Sequence, residues 1–253
     1  MAQLTEISYA EHGNLKVKAD SAINFAKSSH IMQLRVTEVV QANANFPVFV
    51  IKNSHTGDWM LTALTSLMSG TNLFVKEGKW DATYEPICMQ THPLYLMKSA
   101  KDDKSYTVGL LNDPKDFSEE SGTALFDGEN KGSIYMSRVS SLLEASIKQD
   151  IQTFEFLETL SSKGLLKTMD LVVQYPENQA ETITGLHTID EDKLRELDAE
   201  QLKAFHDNGY LSVMYSMLNS IYQLNSIIKR NNADTSNKQI TKVNLTAKSG
   251  DIS

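Results

Sequence analysis

Apolar residues change rhythm along this chain. In the first half they fall in short runs of four to seven, bounded by Gly, Pro, Asn and Asp. That is the signature of strands separated by turns. "HIMQLRV" at 30–36 reads as a strand. Thr37 is placed to cap a short helix over 38–44, and Phe46-Pro47 ends it, because a residue before Pro leaves the helical region. "VFVIK" at 48–52 is a continuous run, as in a strand buried on both faces. It forms a hairpin with 59–67 around "NSHTGD", where Gly57 supplies a positive φ. The segment "GTNLFVKEGKWDATYEP" at 70–86 holds turns at 70–72 and Glu77-Gly78, a strand end at 73–75, and Pro86 opening a helix over 86–91. "LYLMKS" and "YTVGLL" are two more strands around "AKDDKS". Residues 112–132 are acidic and turn-rich, and read as the longest loop.

The second half moves to helical spacing. Val139, Leu142, Leu143, Ile147, Ile151, Phe154 and Leu157 recur every three or four residues, so a helix spans 133–163 and stops at Gly164. "MDLVVQY" and "ETITGLHTI" form a hairpin through "PENQA". Asp190 and Asp198 cap helix starts, and Gly209 ends the second helix. A final helix over 211–230 carries Leu211, Met214, Tyr215, Leu218, Ile221, Tyr222 and Ile228 on one broad stripe, with Met217 beside it. Such a stripe suits a core and also a partner. Residues 231–253 are polar and read as a mobile tail. Strands without regular βαβ alternation predict an α+β fold: a mainly antiparallel sheet in the first half, packed with C-terminal helices. Residues 1–230 read as one globular domain.

Composition narrows the function classes. The net charge of −8 opposes nucleic-acid binding, which needs a basic face for phosphates. Cys88 is the single cysteine, so no internal disulfide forms. The first residues lack a signal-peptide pattern, and no stretch has the length of an apolar membrane span. The expectation is a soluble cytoplasmic protein. Without a signal sequence, the sequon Asn244-Leu245-Thr246 carries little weight.

Candidate chemistry is sparse. No GxxxxGK[ST] or GxGxxG loop cradles phosphate, and no Gly-x-Ser-x-Gly elbow presents a nucleophile. His12, His30, His55, His92, His187 and His206 lack metal-ligand spacing, so neither metal nor cofactor is expected. Cys88 sits in apolar "PICMQ", the setting of a packed thiol. Glu119, Glu120 and Asp127 lie in the acidic loop and read as solvated. Asp81, Glu85 and His187 are the candidates for acid–base work, which needs one of them buried with a shifted pKa. Trp59, Asn72, Trp80 and Tyr84, with Phe74, have the composition of a sugar or small-ligand platform, though core packing is the commoner role of such aromatics. The balance leans away from an enzyme. An enzyme of unrecognised type and a small-ligand binder stay as alternatives.

Six segments, in order, carry a resemblance to a known family. They are "FPVFVIKNSHTGDWMLTALTSL", "NLFVKEGKWDATYEP", "ALFDGEN", "FLETLSSKGLL", "ITGLHTIDEDKL" and "GYLSVMYSMLNSI". Together the chain resembles the SapC family of bacterial proteins over residues 15–230. "MQTHPLYL" departs from the family pattern, which has an Arg pair and Pro-Phe there. The resemblance implies a gene setting beside TonB-dependent receptors, flavin-dependent halogenase-like proteins and cupin-like proteins. It implies an accessory or binding role in nutrient uptake or at the cell envelope, with a halogenase-like or cupin-like partner. It implies no reaction.

Overall fold

A computed structural model describes residues 4–54, 56–99, 102, 105–111, 113–128 and 130–248. His55, parts of "AKDDKS", Asn112, Glu129 and the last five residues lie outside these. The fold is α+β with antiparallel sheets, as the patterning predicts. The chain divides into two compact units, because segments distant in sequence pack together in each.

The first unit comprises Met1–Ser28, Val75–Trp80 and Ile87–Lys148. Its largest sheet orders Leu4–Glu6, Tyr106–Leu111 and Leu94–Lys98, all antiparallel. Val75–Lys76 and Lys79–Trp80 form a hairpin whose two loop residues, Glu77 and Gly78, both have positive φ. That is the primed turn whose twist matches paired strands. The expected long loop is partly strand. Phe117–Ser118 and Thr123–Ala124 both pair with Lys16–Val17, which occupies the backbone groups a free loop would leave to water. Leu94, Leu110, Phe117, Leu125, Val139 and Leu143 make the core.

The second unit comprises Ser29–Phe74, Asp81–Pro86 and Gln149–Ser253. It is built on a six-stranded antiparallel sheet. The order is Lys242–Ala247, Leu166–Gln174, Ala180–Ile189, Val48–Lys52, Trp59–Leu64, Ile31–Leu34. The sheet therefore draws on both halves of the sequence, not the first alone. Val48, Phe49 and Val50 are buried in succession, as their apolar run predicts. Phe49, Leu64, Leu171, Leu186 and Leu224 form one core cluster.

Three local expectations change. Thr37 caps nothing; a 3-10 turn over Val36–Glu38 precedes the short helix Val39–Ala42. The final helix is broken into Tyr210–Ser220, a 3-10 turn Ile221–Gln223, and Leu224–Ala233. Ser220 explains the break: its buried hydroxyl donates to Met217 O at 2.6 Å and accepts the Val48 N–H at 2.9 Å. A serine bonding back to its own helix bends it. The polar tail is not loose through Lys248, because Lys242–Ala247 pairs along Leu166–Gln174. The long helix Ile134–Ser162 and its stop at Gly164, with φ +64°, match the spacing.

Candidate functional site

The residues singled out by sequence fall into separate neighbourhoods. Asp81 and Asn72 meet around Phe74. Asn72 Oδ1 accepts the Phe74 N–H at 2.9 Å, and the Asp81 N–H donates to Phe74 O at 2.7 Å. Arg230 closes this corner. Its guanidinium donates to Asp81 Oδ2 at 2.7 Å and to Asp81 O at 2.9 Å, and lies 4.2 Å from the centre of the Phe74 ring. Phe74 packs edge-on against Phe46. Asp81 is thus held by a cation in a structural clamp. No short-range pattern points to Arg230, which lies 149 residues from Asp81.

His187 stands on Ala180–Ile189 opposite Val50 and packs edge-on against Trp59, with ring centres 4.9 Å apart. The Lys52 ammonium lies 4.6 Å from the Trp59 ring, a cation–π contact. Tyr84 belongs to a third group: its hydroxyl donates to Glu38 Oε1 at 2.7 Å, and its N–H donates to Asn45 Oδ1 at 3.1 Å. Glu38 is buried, and its Oε2 accepts the Arg35 N–H at 2.8 Å. Glu85 is exposed. Trp80 is half-buried in the hairpin of the first unit, opposite Val75.

Two polar centres were not legible from local pattern. The first lies in the first unit. Asp116 Oδ1 accepts from the Ser21 hydroxyl at 2.7 Å and lies 3.0 Å from His92 Nε2. His92 Nδ1 is 3.2 Å from the Tyr95 hydroxyl, and Phe25 stacks on the imidazole. Ser21 and His92 are buried. Burial pushes the Tyr95 phenol above its ordinary pKa, and the charges of Asp116 and Cys88 push it further the same way. Both His92 nitrogens are taken up within the protein. A general base needs one of them within reach of a substrate proton, so this centre fixes structure.

The second is a cavity of about 380 Å³ in the second unit. Val36, Val40 and Val213 give it an apolar wall. Gln152 and Glu155 come from the long helix, while Asn208 and Tyr210 flank Gly209. The sharp entry to the Tyr210–Ser220 helix uses Gly209 at φ +74°, a conformation costly for other residues. Tyr210 packs edge-on against Phe156, and its phenol is pushed up by burial first and by the Glu155 charge second. Beside the cavity, Arg35 pairs with Asp150 at 2.7 Å, and the Val36 N–H donates to Thr153 Oγ1 at 2.9 Å. Val40 is an exposed bulky apolar residue of this unit, as are Ile151, Phe154, Tyr215 and Tyr222.

Among the described residues, no three or more His, Cys, Asp or Glu side chains gather as a metal site, and no helix is long and apolar enough to cross a membrane. One family model, SapC, matches residues 7–227. No curated protein and no solved structure matches the chain.

Proposed function

The chain belongs to the SapC family, and from that premise we propose that it is an accessory protein that docks a partner enzyme. The partner is a flavin-dependent halogenase-like or cupin-like protein, met in the cytoplasm. The pair serves nutrient uptake through an outer-membrane receptor or upkeep of the cell envelope. The gene setting that the family resemblance implies supports this choice of partner. One structural observation carries the docking role: Ile151 and Phe154 are 55% and 60% exposed on the long helix. Residues three apart are neighbours on one helix face. Together they present an apolar surface whose burial favours association.

The test uses purified proteins. The chain is mixed with each halogenase-like and cupin-like protein encoded near it, and complex formation is followed by sedimentation velocity. A complex is expected with one of them, and Ile151→Ser with Phe154→Ser should weaken it by about tenfold or more, as loss of two buried apolar anchors implies. Absence of a complex with every such protein overturns the assignment.

A further inference from the structure

We propose that two copies of this chain associate about a two-fold axis, the Tyr210–Ser220 helix of one lying antiparallel to that of the other. The contact uses different side chains from the Ile151 and Phe154 pair and does not rest on the partner reading. The broad apolar stripe of this segment divides in the structure. Met214, Met217, Leu224 and Ile227 are buried. Tyr215 and Tyr222 stand out at 52% and 77% exposure, and Leu211 and Leu218, interleaved with them, are half-buried. The turn Ile221–Gln223 leaves Tyr222 facing outward. Leu211, Tyr215, Leu218 and Tyr222 recur at steps of four, three and four residues, the spacing of a helix–helix seam. Val40 widens the patch: it is exposed and lines one depression with Ser212.

Three observations make a second copy the occupant. The seam reads alike in both directions. Steps of four, three and four are unchanged on reversal, so two antiparallel copies set every Tyr against a Leu: Tyr215 against the partner's Leu218, and Tyr222 against the partner's Leu211. A two-fold contact needs that self-complementarity. Second, no Asp, Glu, Lys, Arg or His occurs from Asn208 to Ile228, although charged residues make up 22% of the chain. Charges are depleted and tyrosines enriched at the centres of interfaces. Third, the chain carries a net charge of −8, which keeps copies apart. A charge-free face is where they meet with least repulsion. A basic or acidic partner would find no counter-charge on it, and a membrane surface none of the Lys and Arg that interfacial helices present. The seam is about 16 Å long at helical rise, which places the contact among small, reversible interfaces.

Sedimentation equilibrium on the purified full chain, from about 1 to about 300 μM, reads the association. A monomer–dimer equilibrium is expected, with Kd on the order of 10 to 100 μM. Added salt should leave it unchanged or tighten it, because screening weakens the repulsion between copies. Tyr215→Glu with Tyr222→Glu changes two exposed positions and should weaken the dimer at least about tenfold, while circular dichroism shows the fold retained. Tyr215→Lys with Tyr222→Lys should do the same. In the antiparallel register each Tyr222 lies about one turn from the partner's Tyr215, so an equimolar mixture of the Glu and Lys chains should associate again. Ile151→Ser with Phe154→Ser should leave self-association within about twofold, which separates this surface from the enzyme-docking one. The proposal is overturned by a chain that stays monomeric at about 300 μM, or by Glu chains that dimerise like the parent. It is equally overturned by a Glu–Lys mixture that stays monomeric, or by loss of the dimer in the Ile151→Ser, Phe154→Ser chain.

Discussion

The two units treat their polar groups in opposite ways. In the first, Asp116, His92, Ser21 and Tyr95 are bound to one another, and Phe25 covers the imidazole. In the second, Glu155 and Asn208 are exposed and Gln152 and Tyr210 half-buried around an open depression, and among the described residues none of these side chains has a hydrogen-bond partner. Buried polar groups cost free energy unless paired. A closed network is therefore scaffolding, whereas polar groups around an open space are hydrated and bear no such cost. A histidine beside an aspartate invites a catalytic reading. Here the less conspicuous glutamate is the more available group.

The sharpest way to break this contrast is Asp116→Ala. It removes the shared acceptor of Ser21 and His92 and strands both in the interior. Stability in urea unfolding should fall by about 3 kcal/mol; a loss under about 0.5 kcal/mol would show that the network holds nothing together. Ser220→Ala tests the same logic at the helix break. The buried Val48 N–H loses its acceptor, and about 2 kcal/mol should go with it. Unchanged unfolding would mean that another group accepts that N–H.

A smaller effect concerns alkaline pH. Tyr95 has its phenol pKa raised above 10.0 in the folded chain, so the folded state holds that proton more tightly than the unfolded one. Its contribution is full below about pH 10 and is lost as pH climbs through the raised folded value. Tyr95→Phe should therefore flatten the decline of unfolding free energy above about pH 10, and an identical slope would remove Tyr95 from the account. The smallest effect is expected of Glu155→Gln. With no protein partner to lose, its stability should stay within about 0.5 kcal/mol of the parent by thermal and urea unfolding. A larger loss would make Glu155 structural, like Asp116.

Much of the architecture was readable because it is local. The run Val48–Lys52, the stop at Gly164 and the caps at Asp190 and Asp198 follow from adjacent residues. The sites were not readable, because they join distant segments. Arg230 reaches Asp81 across 149 positions, and Ser21 reaches Asp116 across 95. The aromatic platform failed as a grouping for the same reason. Trp59 goes to His187 and Lys52, Phe74 to Phe46 and Arg230, and Tyr84 to Glu38. Short spacing could not say which distant residue would occupy each ring.

The strand Lys242–Ala247 has a practical side. Its composition invites trimming at the end of the recognisable helix pattern, as is often done to improve crystals. Yet it covers one side of Leu166–Gln174 over six paired positions. Shortening the chain there would bare a row of amides and carbonyls on a strand rich in Leu and Val, a template for pairing with other molecules. What reads as disposable polar sequence is a guard against self-association.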